Sequence, residues 1–244
     1  MSLIAAVLLA APVPVPGQFD YQLGGAYPPP PGVTIVTRDR RARPAAGKYS
    51  ICYVNAFQTQ PGARSWWRVR HPHLILRRAS GRPVVDGAWG EFLLDTGTPA
   101  KRKALGKIVG RWIDGCATSG FDAVEPDNLD SWQRSRHLLT RKDNVAFARL
   151  LIRRAHRAGL AIAQKNAAGL APRRLFDFAV TEECQRWSEC GRFTSAYGNQ
   201  VIEIEYRRRD FEAACRARAG RIPIVLRDLN LVTPAHRSYR YAAC

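Results

Sequence analysis

The chain has 244 residues, 46% of them hydrophobic and 24% charged, a mix that excludes a wholly disordered, collagenous or coiled-coil protein. Its 38 basic residues (32 arginines, 6 lysines) outnumber 20 acidic ones, for a formal net charge of +18. The arginines are scattered singly, in pairs and in triplets, as on a solvated surface, so no nucleic-acid partner is expected. No apolar run reaches the eighteen or so residues a membrane-spanning helix needs.

In chain order, residues 2–11 are apolar like the core of a secretory signal, although no positive charge precedes them. Residues 1–16 are therefore read as a leader, and 17–244 as one domain, exported and monomeric. Short apolar runs follow at 33–37, 49–54, 92–94, 121–124, 160–163, 178–181, 201–204 and 222–226, with an extra piece at 19–23. Near-continuous apolarity over a few residues is how a strand buried on both faces reads. Helical periodicity appears at 99–117, 143–158 and 210–219, the second stopping at Gly159 and the third before Gly220. This alternation predicts a single α/β (β/α)8 barrel of the TIM type. A doubly wound sheet fits less well, because no glycine-rich phosphate loop is present. The stretch 56–90, rich in Pro, Arg and Trp, reads as a long loop after strand 2.

A polar residue ends each of the eight runs: Asp39, Asn55, Asp95, Glu125 with Asp127, Lys165 with Asn166, Glu182, Glu205 and Asp228. In a barrel the C-terminal strand ends share one mouth, so these groups are expected to line one pocket. Several carboxylates with one lysine suit glycoside hydrolysis. One carboxylic acid protonates the leaving oxygen; a second carboxylate attacks the anomeric carbon or activates water. Trp66, Trp67, Trp89, Trp132 and Trp187 fall in or beside loops, where flat rings can stack on sugars. The histidines show no ligand spacing and no CxxC pair exists, so no metal and no cofactor is expected. The six cysteines, Cys52, Cys116, Cys184, Cys190, Cys215 and Cys244, allow fifteen full pairings; any disulfide implies an oxidising compartment.

The segment GFDAVEPDNLD at 120–130, with AQKN at 163–166, FAVTEEC at 178–184 and IEIEY at 202–206, resembles glycoside hydrolase family 114, the endo-α-1,4-polygalactosaminidases and relatives. FDYQLGG at 19–25, ICYVNAFQ at 51–58 and WGEFLLD at 89–95 agree. The resemblance implies a (β/α)8 barrel, a retaining mechanism and an α-1,4-linked galactosamine polysaccharide as substrate. It makes Asp127 the nucleophile and Glu182 the acid/base, with Glu125 and Asp130 as rivals for the nucleophile. Asp20, Tyr53, Asn55, Asp95, Glu125, Asn128, Asp130, Lys165, Asn166, Glu205 and Asp228 become expected substrate contacts. Family-like loops also imply Cys184–Cys190 and Cys215–Cys244 disulfides, leaving Cys52 and Cys116 open. A non-catalytic glycan-binding barrel is the alternative. Deacetylated polygalactosamine is cationic, so a +18 protein would repel it unless the cleft is locally acidic.

Overall fold

The computed structural model describes residues 13–14, 17–60, 62–170 and 174–244; apart from Val13 and Pro14, the expected leader lies outside them. Eight parallel strands run in chain order around one sheet: β1 (Gln18–Gln22), β2 (Val33–Asp39), β3 (Tyr49–Asn55), β4 (Ala123–Asp127), β5 (Ala161–Lys165), β6 (Phe178–Glu182), β7 (Val201–Glu205) and β8 (Ile224–Arg227). A short β9 (Tyr241–Ala243) adds antiparallel to β8. The barrel is nearly closed, and side chains bridge the seam between β8 and β1. Arg227 Nη1 donates to Asp20 Oδ1 at 2.8 Å and also to the Tyr21 carbonyl.

Five α-helices lie between the strands among the described residues: α1 (Arg64–Arg70) and α2 (Pro99–Thr118) after β3, α3 (Arg141–Arg157) after β4, α4 (Cys190–Tyr197) after β6 and α5 (Arg208–Arg218) after β7. The helical layer is thus incomplete, since β1–β2 and β2–β3 are joined without a helix. The periodic helices begin where local chemistry supports them. Thr98 caps α2 by accepting from the Lys101 N–H, ahead of Pro99. Thr140 and Asp143 form a reciprocal capping box on α3. α4 has no side-chain cap and spans 8 residues, too little periodicity to read in advance.

The strand set differs from the expected one. The extra piece at 19–23 is β1, and the run at 92–94 makes isolated antiparallel bridges to Gln58, Ile75 and Val85 instead of a barrel strand. The reason is local: Leu93 packs into a small satellite core with Leu76 and Val84 inside the insertion. The long insertion therefore follows the third strand, and it folds on itself.

Strand alternation sorts the core. Ile35, Ile51, Ala123, Ala163, Val180, Ile202 and Val225 fill the barrel interior. Cys52, Val124, Ile162, Ala179 and Leu226 face outward onto helices. Three disulfides staple this frame: Cys52 of β3 to Cys116 of α2, Cys184 to Cys190, and Cys215 of α5 to Cys244.

Candidate active site

Because β1–β8 are parallel, their C-terminal ends meet at one mouth, where a cleft of about 860 Å³ opens. The inward register of Ala123 puts Glu125 and Asp127 on the interior face of β4; Ala163 does the same for Lys165, and Val180 for Glu182. The three carboxylates converge on one ammonium. Lys165 Nζ lies 3.0 Å from Glu125 Oε1, 3.7 Å from Asp127 Oδ1 and 3.2 Å from Glu182 Oε2. Asp127 Oδ1 and Glu182 Oε2 are therefore no farther apart than those last two distances added together.

Each carboxylate has its own cradle. Asp127 accepts from the Tyr53 hydroxyl at 2.9 Å and from the Asn128 N–H at 2.7 Å. Glu182 accepts from Asn166 Nδ2 at 3.0 Å and from the Tyr206 hydroxyl, while its own N–H donates to Asn166 Oδ1 at 2.7 Å. Glu125 sits beneath, fully buried, accepting from the Tyr21 hydroxyl at 2.7 Å and from the Thr37 hydroxyl at 3.4 Å. Asp127 and Glu182 keep 19% and 25% of their side chains exposed, so substrate can reach these two and not Glu125.

Burial raises Glu125 to about 6, although Lys165 and the Tyr21 hydroxyl pull it back. Burial alone would lower Lys165; Asp127, Glu182 and Glu125 together overcome it and hold the ammonium well above its ordinary value. Lys165 is thus a fixed cation at the floor of the cleft.

The residues just after β4, β5 and β6, Asn128, Asn166 and Glu183, all take left-handed backbone conformations with φ of 64°, 47° and 56°. Asparagine tolerates that region and glutamate does not, so the Glu183 turn carries strain at the rim of the cleft. These turns leave each strand abruptly and keep Asp127 and Glu182 at the mouth.

Of the expected contacts, Tyr53, Asp127, Asn128, Asp130, Lys165, Asn166 and Glu182 line the cleft. Asn55 lies behind it, donating to Glu91 Oε2 at 2.9 Å and accepting from Asn128 Nδ2 at 3.0 Å. Glu125, buried beneath the cleft, does not line it either, and four more expected residues stand apart from it. Asp20 and Glu205 sit on the outward register of β1 and β7; Asp20 meets Arg227 and the Tyr27 hydroxyl, and Glu205 takes the Gln185 N–H at 2.9 Å. Asp228 lies one residue past Arg227 and accepts from the Val232 N–H. Asp95 ends no barrel strand and pairs with Lys101 of α2.

Sequence reasoning did not single out Glu91, Asp86, Arg134 or Tyr206 as site residues, yet all four line the cleft. Glu91 precedes an apolar run instead of ending one, and Tyr206 follows the acid taken as the end of its strand. Arg134 ties the insertion to the β4 loop, contacting Asp86 Oδ2 at 2.9 Å and both oxygens of Asp130 at 2.9 and 3.0 Å. Burial raises Glu91 to about 7, despite the Asn55 hydrogen bond that lowers it. Trp89 and Trp187 stand half-exposed at the rim. Trp67 is buried, Trp66 meets it edge-to-face outside the cleft lining, and Trp132 packs against the core.

Among the described residues, seven carboxylates line the cleft (Asp39, Asp86, Glu91, Asp127, Asp130, Glu182, Glu183) against three cations (Arg41, Arg134, Lys165). A chain of +18 net charge thus opens onto an acidic groove.

A family model described as glycoside-hydrolase family GH114 matches residues 5–244. Among solved structures, Aspergillus fumigatus Ega3 in complex with galactosamine aligns over 95% of this chain and 97% of its own, at 22% identity and a TM-score of 0.73. The glycoside hydrolase domain of PelA from Pseudomonas aeruginosa aligns over 90% and 98%, at 18% identity and a TM-score of 0.65. At these identities the likeness is one of fold. No curated protein matches the sequence.

Proposed function

The chain belongs to glycoside-hydrolase family GH114, and from that premise we propose that it is a secreted, endo-acting, retaining hydrolase of an α-1,4-linked galactosamine polysaccharide. The observation that carries the proposal is the convergence of Asp127 and Glu182 on one buried lysine in an acid-lined cleft. Residues 17–244 act as the catalytic unit, a monomer, with 1–16 as an export leader. The three disulfides support export to an oxidising compartment.

In the first step the Glu182 carboxyl gives its proton to the glycosidic oxygen while an Asp127 oxygen attacks the anomeric carbon. The C–O bond to the leaving chain breaks and a glycosyl ester on Asp127 forms. In the second step Glu182 takes a proton from water, the resulting hydroxide displaces Asp127, and both carboxyls return to their starting states. Tyr53 and the Asn128 N–H, both donating to Asp127, fix the orientation of the carboxyl that attacks. Retention needs a carboxyl separation of roughly 5–5.5 Å, which the shared contact of both groups with the Lys165 ammonium accommodates. The acid excess favours the ammonium groups of a deacetylated polymer, with Trp89 and Trp187 placed to stack on sugar faces.

The test is release of reducing ends from deacetylated and N-acetylated α-1,4-galactosamine polymers. The deacetylated polymer is expected to be cut faster, and the first product by NMR is expected to be the α anomer. Asp127→Asn and Glu182→Gln are each expected to lose on the order of 10³-fold in kcat, with unchanged melting. Binding without turnover by the wild type would overturn hydrolysis in favour of a glycan-binding barrel; a β anomer would overturn retention.

A further inference from the structure

The cleft absorbs the acidic side of this molecule and leaves its large positive charge unexplained. Six of the 38 basic residues line a second depression, a groove of about 730 Å³ between α2 and α3 on the outer wall of the barrel. Lys103, Lys107 and Arg111 of α2 and Arg157 of α3 stand exposed along it, and none of the four makes an ion pair among the described residues. No acidic residue lines the groove. Two ion pairs close its ends and pin the helices: Arg102 Nη1 to Asp143 Oδ1 at 3.2 Å, and Arg154 Nε to Asp114 Oδ1 at 2.6 Å.

The floor is open because α2 carries glycines there. A Cβ on Gly106 would meet only Leu150 Cδ1, at 3.9 Å, and one on Gly110 would meet Arg154 Cγ at 3.6 Å. Both are ordinary contacts, so helix packing does not require these glycines; what they do is leave a channel beside the cation row of α2, with Arg157 of α3 across it.

We propose that this groove binds an acidic polysaccharide, a polyuronate bearing one carboxylate per sugar. Lys103, Lys107 and Arg111 follow one another every four residues, about 6 Å apart along the helix, so the cations repeat on the scale of the sugar units that carry the carboxylates. Arginine adds bidentate pairing to carboxylate. No aromatic side chain lines the groove, which leaves the bases of a nucleic acid nothing to stack on. The enzyme would thereby hold one polymer on its wall and present its acidic mouth to another of opposite charge.

The experiment measures binding of polygalacturonate to the full chain at rising salt. It compares the wild type, the variant Lys103→Gln/Lys107→Gln/Arg111→Gln/Arg157→Gln, and a control that removes four exposed charges outside the groove, Arg78→Gln/Arg82→Gln/Arg192→Gln/Arg216→Gln. The groove variant is expected to lose about tenfold or more in affinity at low salt and to lose most of its salt dependence, while the control changes by less than about threefold. Melting of both variants verifies the fold. Equal losses in the two variants would reduce the effect to net charge and overturn the site. Tighter binding of single-stranded DNA than of polygalacturonate at the groove would overturn the choice of ligand. Because the readout is binding away from the cleft, its failure leaves the hydrolase reading untouched.

Discussion

Strands β4 and β7 carry almost the same pattern, Ala-Val-Glu-Pro-Asp and Val-Ile-Glu-Ile-Glu, and they do opposite things with it. In β4 the acids share the register of Ala123 and face the barrel interior, where Lys165 gathers them. In β7 the interior register belongs to Ile202 and Ile204, so Glu203 and Glu205 face the helices. There Glu203 meets the Arg218 guanidinium of α5 with two bonds of 2.8 Å, and Glu205 binds the loop N–H of Gln185. The pairing of Glu182 with Ile204 shows the same rule from the neighbouring strand. A one-residue difference in phase turns a pair of acids gathered by Lys165 into a pair that faces the helices, because side chains alternate faces with a period of two.

The contrast can be broken hardest at its centre. Lys165→Met leaves Glu125, Asp127 and Glu182 clustered without their cation, and is expected to cost about 3–5 kcal/mol in urea unfolding along with most of the activity. The sign with pH follows from Lys165 lowering Glu125. Without the lysine Glu125 takes up a proton more readily, so the deficit shrinks toward pH 5 and grows toward pH 8. A deficit independent of pH would contradict the electrostatic role given to Lys165.

On the β7 side, Glu203→Gln leaves Arg218 poorly paired and is expected to cost about 2–3 kcal/mol while kcat stays within about twofold. A loss of kcat as large as that of Asp127→Asn would mean that β7 faces the cleft after all. The smallest expected effect sharpens the comparison. Burial pushes Glu205 up to about 8, with Glu203 and Asp210 adding to it. A carboxyl raised in the folded state contributes stability that is full below its ordinary value of 4.5 and is lost as pH rises through about 8. Glu205→Gln removes that loss, so the variant is expected to gain on the wild type between pH 5 and pH 8 by a few degrees of Tm. A difference that stays constant over that range would show Glu205 to be ionised throughout.

Much of this was legible in one dimension. The runs at 33–37, 49–54 and 178–181 lie within β2, β3 and β6, because strands buried on both faces need unbroken apolarity. Asp127, Lys165 and Glu182 could be named because each ends such a run. Leu93 and Leu94 were equally apolar and formed no barrel strand, since burial inside an insertion leaves the same signature as burial inside a barrel. Glu91 reaches the cleft from that insertion, and no strand-end rule could find it.

The amino-acid order alone determined most of the strands, the three long helices, the identity of the acids available and the excess of positive charge, since all of these follow from local periodicity and composition. Only the tertiary structure decided which acids share a lysine, which turn their backs on the mouth, and where the two signs of charge collect. Those outcomes depend on the phase of each strand relative to its neighbours and on the packing of α2 against α3, and neither is a property of any single segment.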